Sequence, residues 1–240
     1  MSKITGIDVS HHNGWIDWKK VQDSGIKFAI IRCGYGGNST SKDDIRFSEN
    51  VTECEKIGMD YGVYLYSYAT NVHEAKGEAE HTLRLLKGLK PTFPIWYDVE
   101  DKTQNTLSRE DISSQCEVYC ESLENAGYYA GIYTFKSWYQ QKFTDEILKK
   151  YDSWLAHWTA KTNYSGPYGM WQYSSRGKVN GIIGNVDMNV AYKDYPLIIK
   201  KNHLNGWGND YTLQIGPVNE ELKSKFIKRC NELQINVKVL

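Results

Sequence analysis

The sequence has no surplus of charge of either sign and no long hydrophobic run. Its 240 residues carry 29 basic and 29 acidic side chains. Binding to nucleic acid or to an anionic membrane surface needs a basic field, so the balance of charge argues against both partners. No stretch of the sequence approaches the roughly 18 consecutive apolar residues of a membrane span. We therefore expect no insertion into a membrane.

The sequence also lacks the cysteine patterns of disulfide-rich and zinc-binding proteins. Its five cysteines are odd in number and show no C-x-x-C spacing. Cys116 and Cys120 share one face of a predicted helix, but no histidine or second cysteine pair lies near them, which favours plain packing. His11 and His12 are adjacent, and adjacent side chains on an extended chain diverge. We therefore expect no disulfide framework, no metal and no cofactor.

A secretory leader is also missing from the sequence as given. Residues 1–4 run directly into an apparent strand, without an apolar region or a small-residue cleavage site. We therefore expect the chain to be made and folded in a reducing cytoplasm.

Aromatic residues, in contrast, are abundant. The 18 tyrosines and eight tryptophans exceed what a core of this size needs. Such amphipathic rings suit a surface that stacks on sugars or lines a wet cleft, although a tyrosine-rich surface without a ligand has the same composition.

Strand and helix patterns alternate along the chain. Short apolar segments predict eight strands, at residues 4–10, 28–33, 61–69, 93–100, 129–135, 154–158, 169–173 and 185–190. Helical patterns lie between the first six, at residues 17–25, 44–57, 74–86, 108–126 and within 136–150. Apolar strands alternating with helices indicate an α/β fold with parallel strands. The last three strands are too close for full helical crossovers, so we predict an irregular (β/α) barrel whose last strands are partly antiparallel.

The fourth predicted strand ends in two carboxylates. Side chains alternate along a strand, so Asp98 and Glu100 point the same way, with Cα atoms roughly 6.5 Å apart. Two acids on one buried face repel each other, and one should keep a raised pKa, as a general acid requires. The alternative is a solvated strand end whose acids cap the next turn.

Further acids follow other strands. Asp8 closes the first strand and Asp187 lies in the eighth. Barrel closure makes these strands neighbours, and the carboxyl ends of barrel strands share one face, so the four acids are expected in one cleft. Arg32 on the second strand either pairs with one of these acids or simply lies at a strand end.

These residues belong to a set of short motifs that resembles glycoside hydrolase family 25, the muramidases of phage endolysins and bacterial autolysins. The motifs are GIDVS at 6–10, GWIDW at 14–18, YDVE at 97–100, GIYT at 131–134, WQY at 171–173 and VDMN at 186–189. They occur in order over roughly residues 4–195. The resemblance implies a flattened barrel that cleaves the β-1,4 bond between N-acetylmuramic acid and N-acetylglucosamine in bacterial peptidoglycan.

The resemblance also implies roles for individual residues. Glu100 corresponds to the general acid, and Asp98 assists it, most simply by orienting the 2-acetamido group of the substrate in a substrate-assisted reaction. Asp8 and Asp187 correspond to supporting acids. Expected substrate-binding residues are Tyr66, Tyr133, Trp171, Gln172 and Asn189. Plain barrel packing is the alternative for the aromatic members of that set.

The residues after the barrel predict a separate small module. We assign residues 1–199 to the catalytic barrel, 200–210 to a polar linker and 211–240 to a β-α-β unit with a helix at 219–234. One helix and two strands cannot bury a core alone. We therefore expect this unit to associate with copies of itself or to bind the cell wall, with docking on its own barrel as the alternative.

Taken together, the expected protein is a phage endolysin that accumulates in the host cytoplasm and acts on the wall after release. A bacterial autolysin of the same activity and a non-catalytic glycan-binding protein are the alternatives. A chitinase-like hydrolase would carry a longer run of acids before the equivalent glutamate, and residues 93–100 do not.

Overall fold

Eight strands form a closed barrel in the computed structural model, which describes residues 3–208 and 219–232. The strands are Ile4–Val9 (β1), Phe28–Tyr35 (β2), Asp60–Tyr66 (β3), Ile95–Asp98 (β4), Ala130–Phe135 (β5), Asp152–Ala156 (β6), Met170–Gly177 (β7) and Val186–Ala191 (β8). Neighbours in the barrel follow chain order, and β8 closes the barrel against β1.

Helices cover the outside of the barrel between the early strands. They are Trp18–Asp23 (α1), Phe47–Ile57 (α2), Val72–Leu86 (α3), Arg109–Asn125 (α4), Lys136–Gln141 (α5) and Asp145–Lys150 (α6). Two helices follow the last strand in the chain, Tyr195–Lys201 (α7) and Glu220–Glu232 (α8). Between residues 136 and 150 the structure has two short helices, whereas the sequence predicted one. The break lies at residues 142–144, where Thr144 begins the second helix. No described helix is long and apolar enough to cross a membrane.

The strand directions confirm the predicted irregular barrel. Strands β1 to β7 pair in parallel, and β8 is antiparallel to both β7 and β1. No described helix separates β7 from β8, because the eight residues between them leave room only for a hairpin. Strand β4 is shorter than predicted and ends at Asp98, so Glu100 lies two residues beyond the strand.

Large aromatic side chains fill the inside of the barrel. Phe28, Trp96 and Trp154 are fully buried there. Glycines on neighbouring strands make room for them: a Cβ at Gly6 would lie 2.4 Å from the ring of Phe28, and one at Gly131 would lie 2.4 Å from the ring of Trp96. Pairing a large residue with a missing side chain lets the barrel fill its interior without voids.

Residues 200–208 pack on the amino-terminal end of the barrel, which differs from the predicted linker. The chain divides into two compact units, Met1–Gly208 and Asn209–Leu240. Asn205 is fully buried; its side-chain oxygen accepts from the Tyr129 amide at 2.7 Å, and its amide donates to the carbonyls of Pro91 and Phe93 at 3.1 and 2.9 Å. The composition of residues 200–210 suggested a linker, because composition carries no information about contacts between residues far apart in the sequence.

Replacing Asn205 by alanine is expected to destabilise the first unit by about 2–4 kcal/mol, because one buried amide and two buried carbonyls lose their partners. Asn205 also has a positive φ of 53°, which glycine adopts without strain and alanine does not. Asn205→Gly should therefore be less destabilising than Asn205→Ala. Urea unfolding measures both variants, and a loss below about 0.5 kcal/mol in each would contradict the proposed anchor.

The second unit contains one described helix, α8, which confirms the helix predicted at residues 219–234. Leu222 and Phe226 on this helix are exposed. The predicted strands at 211–216 and 235–240 lie outside the described residues, and self-association of this unit stays a prediction.

Candidate active site

Barrel closure brings the predicted acids to one end of the barrel. Asp8 of β1 and Asp187 of β8 are direct partners across an antiparallel pair, a register that places Cα atoms about 4.5–5.5 Å apart. Asp98 ends β4 and Glu100 follows it. The four carboxyl groups interact electrostatically: the charge of Asp187 acts on Asp8 and on Glu100, and the charge of Glu100 acts on Asp98.

The pKa of every carboxyl group in the cluster is raised above its ordinary value. Burial raises the pKa of Glu100 to about 7, with the charge of Asp187 adding to the effect. Burial likewise raises the pKa of Asp187 to about 6. Burial first, and then repulsion by a neighbouring acid, raises the pKa of Asp8 and of Asp98 well above the ordinary range. Environments of this kind are typical of catalytic carboxylates.

Amide side chains hold Asp8 in place. Its Oδ2 accepts from Gln172 Nε2 at 2.9 Å and from Asn189 Nδ2 at 2.7 Å. Asn189 in turn accepts from the indole nitrogen of Trp154 at 2.8 Å. Asn189 and Gln172 are almost completely buried, so in this structure they position Asp8 from inside the barrel.

Gln172 connects Asp8 to two aromatic residues. Its Oε1 accepts from the Tyr133 hydroxyl at 3.0 Å and from the indole nitrogen of Trp158 at 2.8 Å. Trp158 was not among the residues expected from the sequence. It follows Trp154 and Ala156 at alternate positions, and this alternation was the signal that it turns toward the barrel mouth.

Two carboxylate oxygens in the cluster are buried without a protein partner among the described residues. They are Oδ1 of Asp98 and Oε2 of Glu100. Buried oxygens of this type are rarely left unpaired in a folded protein, and a reacting site is one reason for keeping them. The main chain at Asp98 is fixed, since its carbonyl accepts from the Ser67 amide at 2.9 Å.

Arg32 pairs with Asp44 rather than with one of the four acids, which answers the question that the sequence left open. Its Nε donates to Asp44 Oδ2 at 2.9 Å, and its terminal nitrogen contacts the His11 ring. The positive charge of Arg32 still reaches Asp98, where it opposes the larger effects of burial and of Glu100. No described group of three or more His, Cys, Asp and Glu residues is placed to hold a metal ion.

The expected sugar-binding aromatics fall on both faces of the barrel wall. Tyr66 lies beside Asp98 in register, is half-buried, and donates its hydroxyl to Asp101 at 3.1 Å. Tyr133 faces the interior next to Asp98 on the other side. Trp171 differs from expectation: it packs in the outer core and donates to the carbonyl of His157. Its neighbour Gln172 faces inward, so strand alternation turns Trp171 outward.

A closed barrel with a buried glutamate of raised pKa and three further carboxyl groups at its mouth is typical of carboxylate-dependent glycoside hydrolases. The family model for glycosyl hydrolases family 25 matches residues 7–182. The chain therefore belongs to this family, and it is a glycoside hydrolase of the lysozyme type.

Two curated relatives illustrate the similarity. Lysozyme M1 of Streptomyces globisporus is 32% identical over 203 residues, which cover 78% of this chain and 67% of the relative. An autolytic lysozyme of Clostridium acetobutylicum is 28% identical over 186 residues, covering 77% of this chain and 55% of the relative. The chain thus spans about half to two thirds of these proteins.

Solved structures show the same fold. The modular autolysin LytC from Streptococcus pneumoniae superimposes with a TM-score of 0.71 and 33% identity, over 79% of this chain and 47% of that chain. A family 25 glycosyl hydrolase from Bacillus anthracis has a TM-score of 0.71 and 28% identity, over 84% of this chain and 93% of that chain.

Proposed function

We propose that this chain hydrolyses the β-1,4 bond between N-acetylmuramic acid and N-acetylglucosamine in bacterial peptidoglycan. The observation that carries the proposal is the pKa of Glu100, which burial and the neighbouring Asp187 raise to about 7 within a cleft of four acids. Relatives described as lysozymes support the reaction, and LytC has been solved with a synthetic peptidoglycan ligand.

In the proposed reaction Glu100 is the general acid. Its proton passes to the glycosidic oxygen as the bond between that oxygen and the anomeric carbon of N-acetylmuramic acid breaks. The N-acetylglucosamine that carries the oxygen then leaves. The raised pKa keeps the proton on Glu100 near neutral pH. Glu100 then takes a proton from the water that completes hydrolysis.

Asp98 is proposed to orient the 2-acetamido group of the muramoyl sugar. The acetamido oxygen attacks the anomeric carbon, and the carboxylate of Asp98 stabilises the positive charge that develops on the acetamido nitrogen. Asp98 and Glu100 lie two residues apart on one segment, so they approach a sugar from the same side. This placement favours the acetamido group over Asp98 as the attacking nucleophile.

Asp8 and Asp187 are proposed to support these two residues. Burial and then the charge of Asp187 raise the pKa of Glu100. The charge of Asp8 also raises the pKa of Asp98, adding to the larger effects of burial and of Glu100. Gln172 and Asn189 act through Asp8 as positioning residues.

Hydrolysis is expected to fall as the pH rises through about 7, because the general acid must carry its proton. Asp187→Asn removes a negative charge that raises the pKa of Glu100, so this alkaline limb should shift to lower pH in the variant. The dependence of kcat/KM on pH measures both effects. An alkaline limb that begins near pH 4.5, the ordinary pKa of a glutamate, would contradict the assignment.

Mass spectrometry of fragments released from purified peptidoglycan tests the proposed function. Fragments ending in reducing N-acetylmuramic acid are the expected result. Reducing N-acetylglucosamine, or free peptide stems without cleaved glycan, would overturn the proposal.

A phage endolysin and a bacterial autolysin would give the same fragments. We propose the endolysin role, in which the enzyme reaches the wall from the host cytoplasm.

A further inference from the structure

Helix α3 carries a buried carboxyl group that the reaction proposed above does not use. Glu78 lies in the middle of this helix and is 1% exposed. Its hydrogen-bond partners belong to β4 and to residues 67–69, which directly follow β3. A buried carboxyl group is costly to a fold unless it is hydrogen-bonded, so the partners of Glu78 indicate its role.

Both oxygens of Glu78 accept hydrogen bonds. Oε2 accepts from the Tyr97 hydroxyl at 2.5 Å and from the Ser67 hydroxyl at 2.8 Å. Oε1 accepts from the Tyr68 amide at 2.8 Å. Three donors around one carboxyl group match an ionised carboxylate, which only accepts. A single side chain of α3 therefore holds both β4 and the segment that follows β3.

Tyr97 is fixed at its hydroxyl and at its ring. The hydroxyl donates to Glu78, and the ring stacks on Tyr119 of α4 with 3.9 Å between centroids. Tyr97 packs in the outer core, whereas Trp96 faces the inside of the barrel. Alternation along β4 turns Asp98 inward like Trp96. Fixing Tyr97 therefore fixes the main chain from which the Asp98 side chain projects.

Ser67 holds the same piece of main chain from the neighbouring strand. Its amide donates to the carbonyl of Asp98 at 2.9 Å. Its hydroxyl oxygen donates to Glu78 and accepts from Nε2 of Gln104 at 3.0 Å. Glu78 is thus bonded to the two residues that hold the main chain of Asp98, one through the peptide bond and one through a hydrogen bond.

The side chain of Asp98 depends on this support more than that of Asp8 does. Oδ2 of Asp8 accepts from the amide groups of Gln172 and Asn189. Oδ1 of Asp98 is buried and has no partner in the part of the chain that the structure describes. The direction of the Asp98 carboxyl group is therefore set largely by its main chain and by packing.

We propose that Glu78 is a positioning residue for Asp98. It fixes Tyr97 and Ser67, and these two residues hold the main chain that orients the Asp98 carboxylate. The inference rests on the proposed function, in which Asp98 stabilises the charge that develops on the acetamido nitrogen. Such stabilisation depends on position, and a displacement of about 1 Å can lower a rate by about 10²-fold.

A double-mutant cycle tests this role. Single-turnover rates of peptidoglycan hydrolysis are measured for the parent, Glu78→Gln, Asp98→Asn and the double variant. Glutamine keeps the size of the side chain but places an NH₂ group where the carboxylate accepted. Glu78→Gln should lower the rate about tenfold in the parent but less than about twofold in the Asp98→Asn background, since the charge that Glu78 positions is absent there.

Two further variants complete the cycle. Tyr97→Phe removes one hydroxyl and keeps the stacked ring, so it should lower the rate about threefold in the parent and leave the Asp98→Asn rate unchanged. Its result decides the question if Glu78→Gln does not fold. Asn205→Ala, whose contacts lie at the opposite end of the barrel, is the control for lost stability. It should leave both rates within about twofold, with urea unfolding showing that each variant is folded.

Two results would overturn the inference. One is a rate in Glu78→Gln within about twofold of the parent. The other is an equal loss with and without the Asp98 carboxylate, which would mean a general loosening of the fold. In both cases release of reducing N-acetylmuramic acid by the parent shows that the proposed function stands and the role of Glu78 is wrong. A parent that releases none of this product would refute the proposed function, and the inference with it.

Discussion

Glu100→Gln is expected to lower the rate of peptidoglycan hydrolysis by about 10³- to 10⁴-fold, the full contribution of a general acid. Glutamine has nearly the same shape as glutamate, but it has no acidic proton to give. The release of reducing N-acetylmuramic acid from purified walls, measured under single-turnover conditions, gives the ratio of rates.

Folding and wall binding serve as controls for this variant. Burial and Asp187 raise the pKa of Glu100 to about 7 in the folded protein, so ionisation of this group disfavours the fold as the pH rises above the ordinary value. The amide variant should therefore unfold at the same temperature or higher at pH 8. It should also sediment with insoluble peptidoglycan as the parent does. Retention of more than about a tenth of the activity would mean that another residue is the acid.

Asp98→Asn is expected to lower the rate by about 10²- to 10³-fold, as removal of a group that stabilises developing charge does. Asp98 is 4% exposed and has one carboxylate oxygen without a protein partner among the described residues. The amide keeps the shape and a hydrogen-bond acceptor but loses the negative charge opposite the acetamido nitrogen. Single-turnover rates on the same walls measure the effect, and a normal melting temperature excludes a folding defect.

If Asp98 stabilises the cyclised acetamido group, an analogue of that group should bind the site. A thiazoline analogue of the cyclised acetamido group should inhibit the parent and bind Asp98→Asn more weakly by a similar factor. The product should keep the configuration of the substrate at the anomeric carbon. A thiazoline that does not inhibit the parent, or a product of inverted configuration, would count against the substrate-assisted route.

Several features of the fold follow from short stretches of sequence. Asp17 begins α1, and Ser108 forms a reciprocal capping box with Asp111 at the start of α4. Gly58 ends α2 in a left-handed conformation. These signals are local, because a cap needs only the residues of the adjacent turn. The order of the eight strands and the antiparallel end of the barrel were predictable for a similar reason, since the spacing between strands limits what connects them.

The contents of the acid cluster were also predictable, because the acids occur at strand ends and a barrel collects those ends on one face. The register that makes Asp8 and Asp187 direct partners was not predictable from the sequence. Neither was the outward orientation of Trp171 or the packing of Asn205 beneath β4 and β5. Each depends on contacts between residues distant along the chain, which composition and periodicity do not contain.

The sequence by itself therefore determined the class of fold and the family, and it predicted Glu100 as the proton donor, since these depend on residue type and spacing. Only the tertiary structure decided which aromatic residues lie at the mouth of the barrel and which acids are direct partners across neighbouring strands. The physical reason is that the pKa of Glu100 and the exposure of Trp158 depend on burial and on neighbours that closure of the barrel brings together.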